Sequence, residues 1–203
     1  MAPRKKATKK AATRNPSPTT KKRGTKRGKK SQGFDEAAGS LDKAWGKSKT
    51  SAATGGRNFG PNMNVPDGNY VARISGAKTG VPKNGGEPYF RITYVILGEL
   101  DGEKVQSYDE LSDVEAFDGK TRLDLASERL QACGIDTEKI KSLRELPKVA
   151  EQMTKKGQHI HIGIQNNHVT AEESNDGKPH DYQRVYVNEV ISNAELEDVL
   201  AEL

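Results

Sequence analysis

A single cysteine, Cys133, leaves this chain without the means for an internal disulfide, and no CxxC or Cys/His interval around it suits a metal. A reducing, intracellular compartment is the expectation. No run of about eighteen apolar residues occurs, which excludes a membrane-spanning helix. The N-terminus opens on charge without reaching the apolar core of a signal peptide. Apolar residues are scarce, at 33% of 203 with a mean hydropathy of -0.84, too few for a chain folded from end to end. Acidic residues are missing altogether from residues 1–30.

What stands in that acid-free stretch is a polycation of thirteen Lys and Arg: Arg4, Lys5, Lys6, Lys9, Lys10, Arg14, Lys21, Lys22, Arg23, Lys26, Arg27, Lys29 and Lys30. The overall charge of +5 therefore conceals a body with twenty basic and twenty-eight acidic residues, a net of -8. Lys, Arg, Ala, Thr, Pro and Gly cannot bury enough apolar surface to offset their ordering entropy, so residues 1–33 are expected to be a disordered basic tail. Residues 34–64 remain rich in Gly, Ser, Asn and Thr and read as a low-complexity linker. Phe34, Trp45 and Phe59 are its contact points, with a short helix over 34–45.

From Val65 the texture changes to short alternating runs bounded by Gly, Pro, Asn and Asp, the signature of a β module. A first strand covers 69–75. A second, 89–97, places Phe90, Ile92, Tyr94 and Ile96 on one face and Tyr89, Arg91 and Thr93 on the other. A third, 104–108, follows the turn Asp101-Gly102. Helical spacing then takes over at Leu123, Ala126, Leu130 and Cys133, stopped by Gly134, and again over 143–155, stopped by Gly157. Ile160, Ile162 and Ile164 alternate with His159, His161 and Gly163 in a half-buried strand, and Asn166-Asn167 predicts a tight turn into a strand over 168–172. After the Asn175-Asp176-Gly177 loop, Val185 and Val187 oppose Tyr182, Arg184 and Tyr186. Three strands, a helix and two or three further strands predict a mainly β (α+β) module over 65–191. The expected form is an OB-fold-like five- or six-stranded barrel with a helix between the third and fourth strands, though another small barrel or an α+β sheet fits the same count. Residues 192–203 predict an acidic amphipathic helix, with Leu196, Val199, Leu200 and Leu203 on its apolar stripe as a surface for a replication or recombination partner, or for packing back on the domain.

The basic tail carries the strongest functional signal, because each cation that neutralises a phosphate releases a counterion. Lys5, Lys6, Lys9, Lys10, Lys21, Lys22, Arg23, Lys26, Arg27, Lys29 and Lys30 are the expected tail contacts. In the module, Arg73, Tyr89, Arg91, Lys104, Tyr108, Tyr182, Arg184 and Tyr186 oppose the aliphatic faces, and Lys83 sits in the connection 80–88. Rings for bases to stack on, interleaved with cations for the backbone, are what single-strand binding without sequence preference needs. Ordinary outward strand positions also favour Tyr and Arg. His159-x-His161 lacks a carboxylate or Cys partner for zinc. The acidic run Asp109, Glu110, Asp113, Glu115 and Asp118 reads as a solvated loop rather than a nuclease centre. No catalytic residues, no metal and no cofactor are expected.

The tail resembles the Lys/Ala/Thr/Pro-rich tails of linker histones and bacterial histone-like proteins. Val65-Pro66-Asp67-Gly68-Asn69-Tyr70, Asn84-Gly85-Gly86-Glu87-Pro88-Tyr89-Phe90, residues 98–105 and 130–134, and the closing strand 182–190 resemble a phage-encoded family of OB-fold-like single-strand binders from recombination or replication cassettes, a domain of unknown function. The resemblance implies a non-enzymatic protein of the bacterial host cytoplasm or nucleoid that binds single-stranded DNA, with duplex DNA or RNA as further ligands. The alternative is a histone-like condensing protein whose folded part mediates assembly. The acidic C-terminus resembles those by which single-strand binding proteins recruit partners, without their terminal aromatic residue.

Overall fold

The alternation read around Phe90 and Ile160 builds a mostly antiparallel sheet in the computed structural model, which describes residues 33–48, 56–58, 64–83, 85–174 and 177–201. In chain order the elements are α1 (Phe34–Ser48), β1 (Gly56–Asn58), β2 (Gly68–Gly80), β3 (Tyr89–Ile96), β4 (Lys104–Glu110), β5 (Glu115–Phe117), β6 (Lys120–Thr121), α2 (Arg122–Ala132), α3 (Leu146–Lys156), β7 (His159–Val169), β8 (His180–Ile191) and α4 (Leu196–Ala201). The order across the sheet is β1-β8-β7-β2-β3-β4, and β5 and β6 form a separate small hairpin. Within it, β7-β2-β3-β4 is the Greek-key order, in which a fourth strand returns to lie beside the first.

The expected closure into a barrel is not found. Among the described residues β4 pairs only with β3, and β1, three residues long, is laddered only to β8. Cα atoms of β1 come within 8 Å of those of β4, yet no ladder joins the two margins. Among the described residues the sheet is open on that side.

β2 is longer than expected because a bulge at Ser75 lets it serve two partners. Residues up to Arg73 pair with β7, and residues from Ala72 to Gly80 pair with β3. Past Arg73 the edge that β7 leaves is covered by α3, where the Ala77 amide donates to Thr154 Oγ1 at 2.9 Å. The turn predicted at Asn166-Asn167 is absent, and β7 runs straight through both residues in register with Gln183 and Tyr182. The local turn preference loses because the Asn166 amide is satisfied across strands: it donates to the Val65 carbonyl at 2.9 Å and accepts from Gln183 Nε2 at 2.9 Å.

Where helical spacing was read, the chain has α2 and α3, the latter beginning at Leu146 rather than Leu143. α2 opens on a capping box between Thr121 and Asp124, and α3 stops at Gly157 in the left-handed region. Ile160, Ile162, Phe90, Ile92, Tyr94 and Leu123 belong to one core. That core also takes Ala38, Leu41 and Trp45 from α1, so the segment read as a linker contributes to the interior. The Trp45 indole donates to the Ile140 carbonyl at 3.3 Å, and Asp42 accepts from the Leu143 amide at 2.8 Å. The acidic run is corrected as well: Asp109 is buried against Arg129 of α2, and Glu110 pairs with Arg122. No helix among the described residues is long and apolar enough to cross a membrane. The predicted C-terminal helix is present as α4, with none of its residues buried, while Leu203 lies outside the described residues.

Cys133 ends α2 fully buried, and burial pushes its thiol from the ordinary 9.0 to about 12. Because the thiolate is the reactive form, an aromatic disulfide reagent at pH 8 is expected to leave the native protein unlabelled and to titrate one thiol after denaturation. Rapid native labelling would contradict that burial. The unfolded thiol gives up its proton above about pH 9 while the folded one holds it, so this group costs stability as pH rises through that window, at a slope of up to about 1.4 kcal/mol per unit.

Candidate nucleic-acid interface

Successive strand residues point to opposite faces, so once Phe90, Ile92 and Tyr94 are buried their neighbours Tyr89, Arg91 and Thr93 are on the outside. The registers extend this outer face across the sheet. Arg91 stands opposite Tyr108 on β4 and Lys78 on β2, Lys104 opposite Val95, and Arg73 between Val95 and His159. On β8, Tyr182, Arg184 and Tyr186 alternate with the buried Gln183 and Val185. Every predicted module residue except Lys83 therefore occupies one face, and Lys83 is exposed in the connection between β2 and β3.

The first cluster is built on β3 and β4. The Tyr89 and Tyr108 rings stack with centroids 4.9 Å apart and planes inclined by 28°. Tyr89 stands opposite Gly80, where a Cβ would come within 2.6 Å of its hydroxyl oxygen, so glycine is what admits the ring. One side of Tyr89 is thus taken by backbone and the other by Tyr108. Beside them, Arg91 Nε is buried without a hydrogen-bond acceptor. Burial, then the neighbouring Glu110 carboxylate, pushes the half-buried Tyr108 hydroxyl above its ordinary value.

The second cluster lies on β8. The Arg184 guanidinium sits over the Tyr182 ring, 5.3 Å from its centroid, and Nη2 donates to the Tyr182 hydroxyl at 3.1 Å. A hydrogen bond with Tyr186, more than any other influence, holds the Arg184 guanidinium above its ordinary value. Tyr186 in turn donates to Gln165 Oε1 at 3.1 Å and lies beside Gly163, its Cδ2 3.9 Å from where a Cβ would be.

Along β2 these clusters are far apart, since Tyr89 faces Gly80 at one end while Tyr186 pairs with Gly163 beside Asn69 at the other. They approach across the open side. Arg129 of α2 donates from Nη1 to the Val185 carbonyl at 2.7 Å and from Nε to Asp109 Oδ1 at 3.1 Å. Two such bonds from one planar guanidinium place those acceptors within about 8 Å of each other. Val185 lies between Arg184 and Tyr186, and Asp109 lies between Tyr108 and Glu110.

The charge on this face runs against that of the body. Its strands present Arg73, Lys78, Arg91, Lys104 and Arg184 against Glu110 and Glu189, and Glu110 is paired with Arg122. None of those five cations, nor Lys83, enters an ion pair among the described residues. Lys120, Arg122, Arg129, Lys139 and Lys155 do, all outside the six-stranded sheet. Unpaired cations beside aromatic rings are suited to hold anions and flat ring systems together.

Lys78 was not expected here. The first strand was read as ending at Ser75, and the bulge at that residue resets the alternation that would have placed Lys78. The tail contacts from Lys5 to Lys30 lie outside the described residues. Among the described residues no three of His, Cys, Asp and Glu gather to hold a metal ion. In comparison with known proteins, no family model, no curated protein and no solved structure matches the chain.

Proposed function

We propose that the outer face binds single-stranded DNA without sequence preference, on an OB-like Greek-key sheet left open between its edge strands β1 and β4. The observation that carries this reading is the set of unpaired cations among two tyrosine clusters on one face of an otherwise acidic body. Bases stack on tyrosine rings whatever their identity, and the phosphates follow the cations. The OB type, a partly open Greek-key barrel that takes oligonucleotides on its strands and adjoining loops, accommodates both the strand order and the exposed Lys83 connection. The basic tail adds sequence-independent attraction, and a place in phage replication or recombination follows from the resemblance in residues 65–191.

Fluorescence anisotropy across a salt series tests it, with a single strand of about thirty nucleotides and its duplex, long enough to cover one such site. The proteins compared are the full chain and a chain beginning at Ser31, three residues ahead of α1. The shorter chain is expected to prefer single strand, with Tyr108→Ala and Tyr186→Ala each weakening binding by about 1 to 3 kcal/mol. Tyr108 is the better probe than Tyr89, whose ring is enclosed on both sides. Duplex preference that disappears with residues 1–30 would sink this reading and favour the histone-like condensing protein.

A further inference from the structure

We infer that Arg129, through its pair with Asp109, is a positioning residue that sets the spacing between the two tyrosine clusters and so makes them one binding site; this rests on the proposed single-strand binding. Its guanidinium reaches from the Asp109 carboxylate on the edge strand β4 to the Val185 carbonyl on β8, the strand to which the other edge, β1, is laddered, and it does so from a helix buried along most of its length. Among the described residues no ladder joins β4 to β8 or to β1, so backbone pairing does not set their separation. Arg129 and Asp109 are each 4% exposed, and the residues flanking their acceptors, Tyr108 on one strand and Arg184 and Tyr186 on the other, face outward.

Stability is a poor reason for such a pair, because well-packed apolar residues of similar volume commonly replace a buried ion pair without loss. Geometry is a better one. A strand that engages one cluster is held at high effective concentration near the second only while their spacing matches the backbone. A looser spacing weakens that second contact and leaves each cluster chemically intact.

The test measures a short oligonucleotide of about four residues and a long one of about sixteen, within the range a single fold of this kind covers. Both are titrated in the full chain at fixed salt, for the wild type, the double variant Asp109→Leu/Arg129→Met, and Arg129→Lys. Lysine keeps the charge beside Asp109 but lacks the planar fork that reaches both acceptors. The wild type is expected to bind the long strand far more tightly than the short one. In both variants short-strand affinity should stay within about twofold while the long-strand advantage falls by about tenfold or more. Circular dichroism and thermal melts report whether each variant is folded, and Arg129→Lys carries the test where the double variant is not. An undiminished long-strand advantage in a folded variant overturns the inference, as does an equal loss for both lengths. Absence of single-strand binding by the wild type overturns the proposed function itself, and this inference with it.

Discussion

Trp45→Ala is expected to lower the unfolding free energy by about 3 to 5 kcal/mol, the usual cost of truncating a large buried aromatic. Trp45 is 0% exposed and is among the largest fully buried side chains, and its indole N–H has a carbonyl partner, so no polar penalty offsets the loss of packing. Ala38 and Leu41 enter the core on the same helix. Asp42 fastens that helix to the segment before α3 by accepting from Ser142 Oγ at 2.9 Å and from the Leu143 amide at 2.8 Å. Urea melts of the wild type and the variant measure the effect, with an unchanged slope indicating that only stability has moved. A cost below about 1 kcal/mol would mean that α1 is a detachable appendage. Domains hold only about 5 to 15 kcal/mol in all, so a chain starting at Val65, which lacks α1 entirely, is expected to be largely unfolded.

Arg129→Met alone is expected to cost about 3 to 5 kcal/mol, because it strands the Asp109 carboxylate in the interior, whereas Asp109→Leu/Arg129→Met should recover most of that loss. Burial already pushes the Asp109 carboxyl above its ordinary range, with Arg129 pulling against it. Without the guanidinium the carboxyl rises further, and a carboxyl whose folded value exceeds its unfolded one costs stability as pH rises through that interval. The single variant should therefore be closer to wild type in acid than at neutral pH. Thermal melts of the three proteins at two pH values decide it. A single variant as stable as the double, at neutral pH, would show that Asp109 finds water or another donor once Arg129 is gone.

These two sites mark where reading the sequence stopped. Alternation of period two is local, so the outward setting of Tyr89, Arg91 and Tyr182 and the burial of Phe90, Ile92 and Ile160 could be read directly. The same holds for the spacing of Leu123, Ala126 and Leu130 in α2, which all lie within one short stretch. Asp109 could not be placed in this way. In sequence it belongs to an acidic run, and only a partner twenty residues away carries it inside.

What the sequence determined by itself was thus the class of the fold, most of its strands and helices, and which side of each strand a residue takes, because those follow from neighbours along the chain. The tertiary structure decided that Trp45 is core, that Asn166 continues a strand, that a bulge brings Lys78 to the outer face, and that among the described residues the sheet stays open between β1 and β4. It also decided that Arg129 links the strands that carry the two tyrosine clusters, through Asp109 on β4 and the Val185 carbonyl on β8. Each of these depends on which distant groups satisfy a buried polar atom or fill a space, and no local pattern in the sequence encodes that choice.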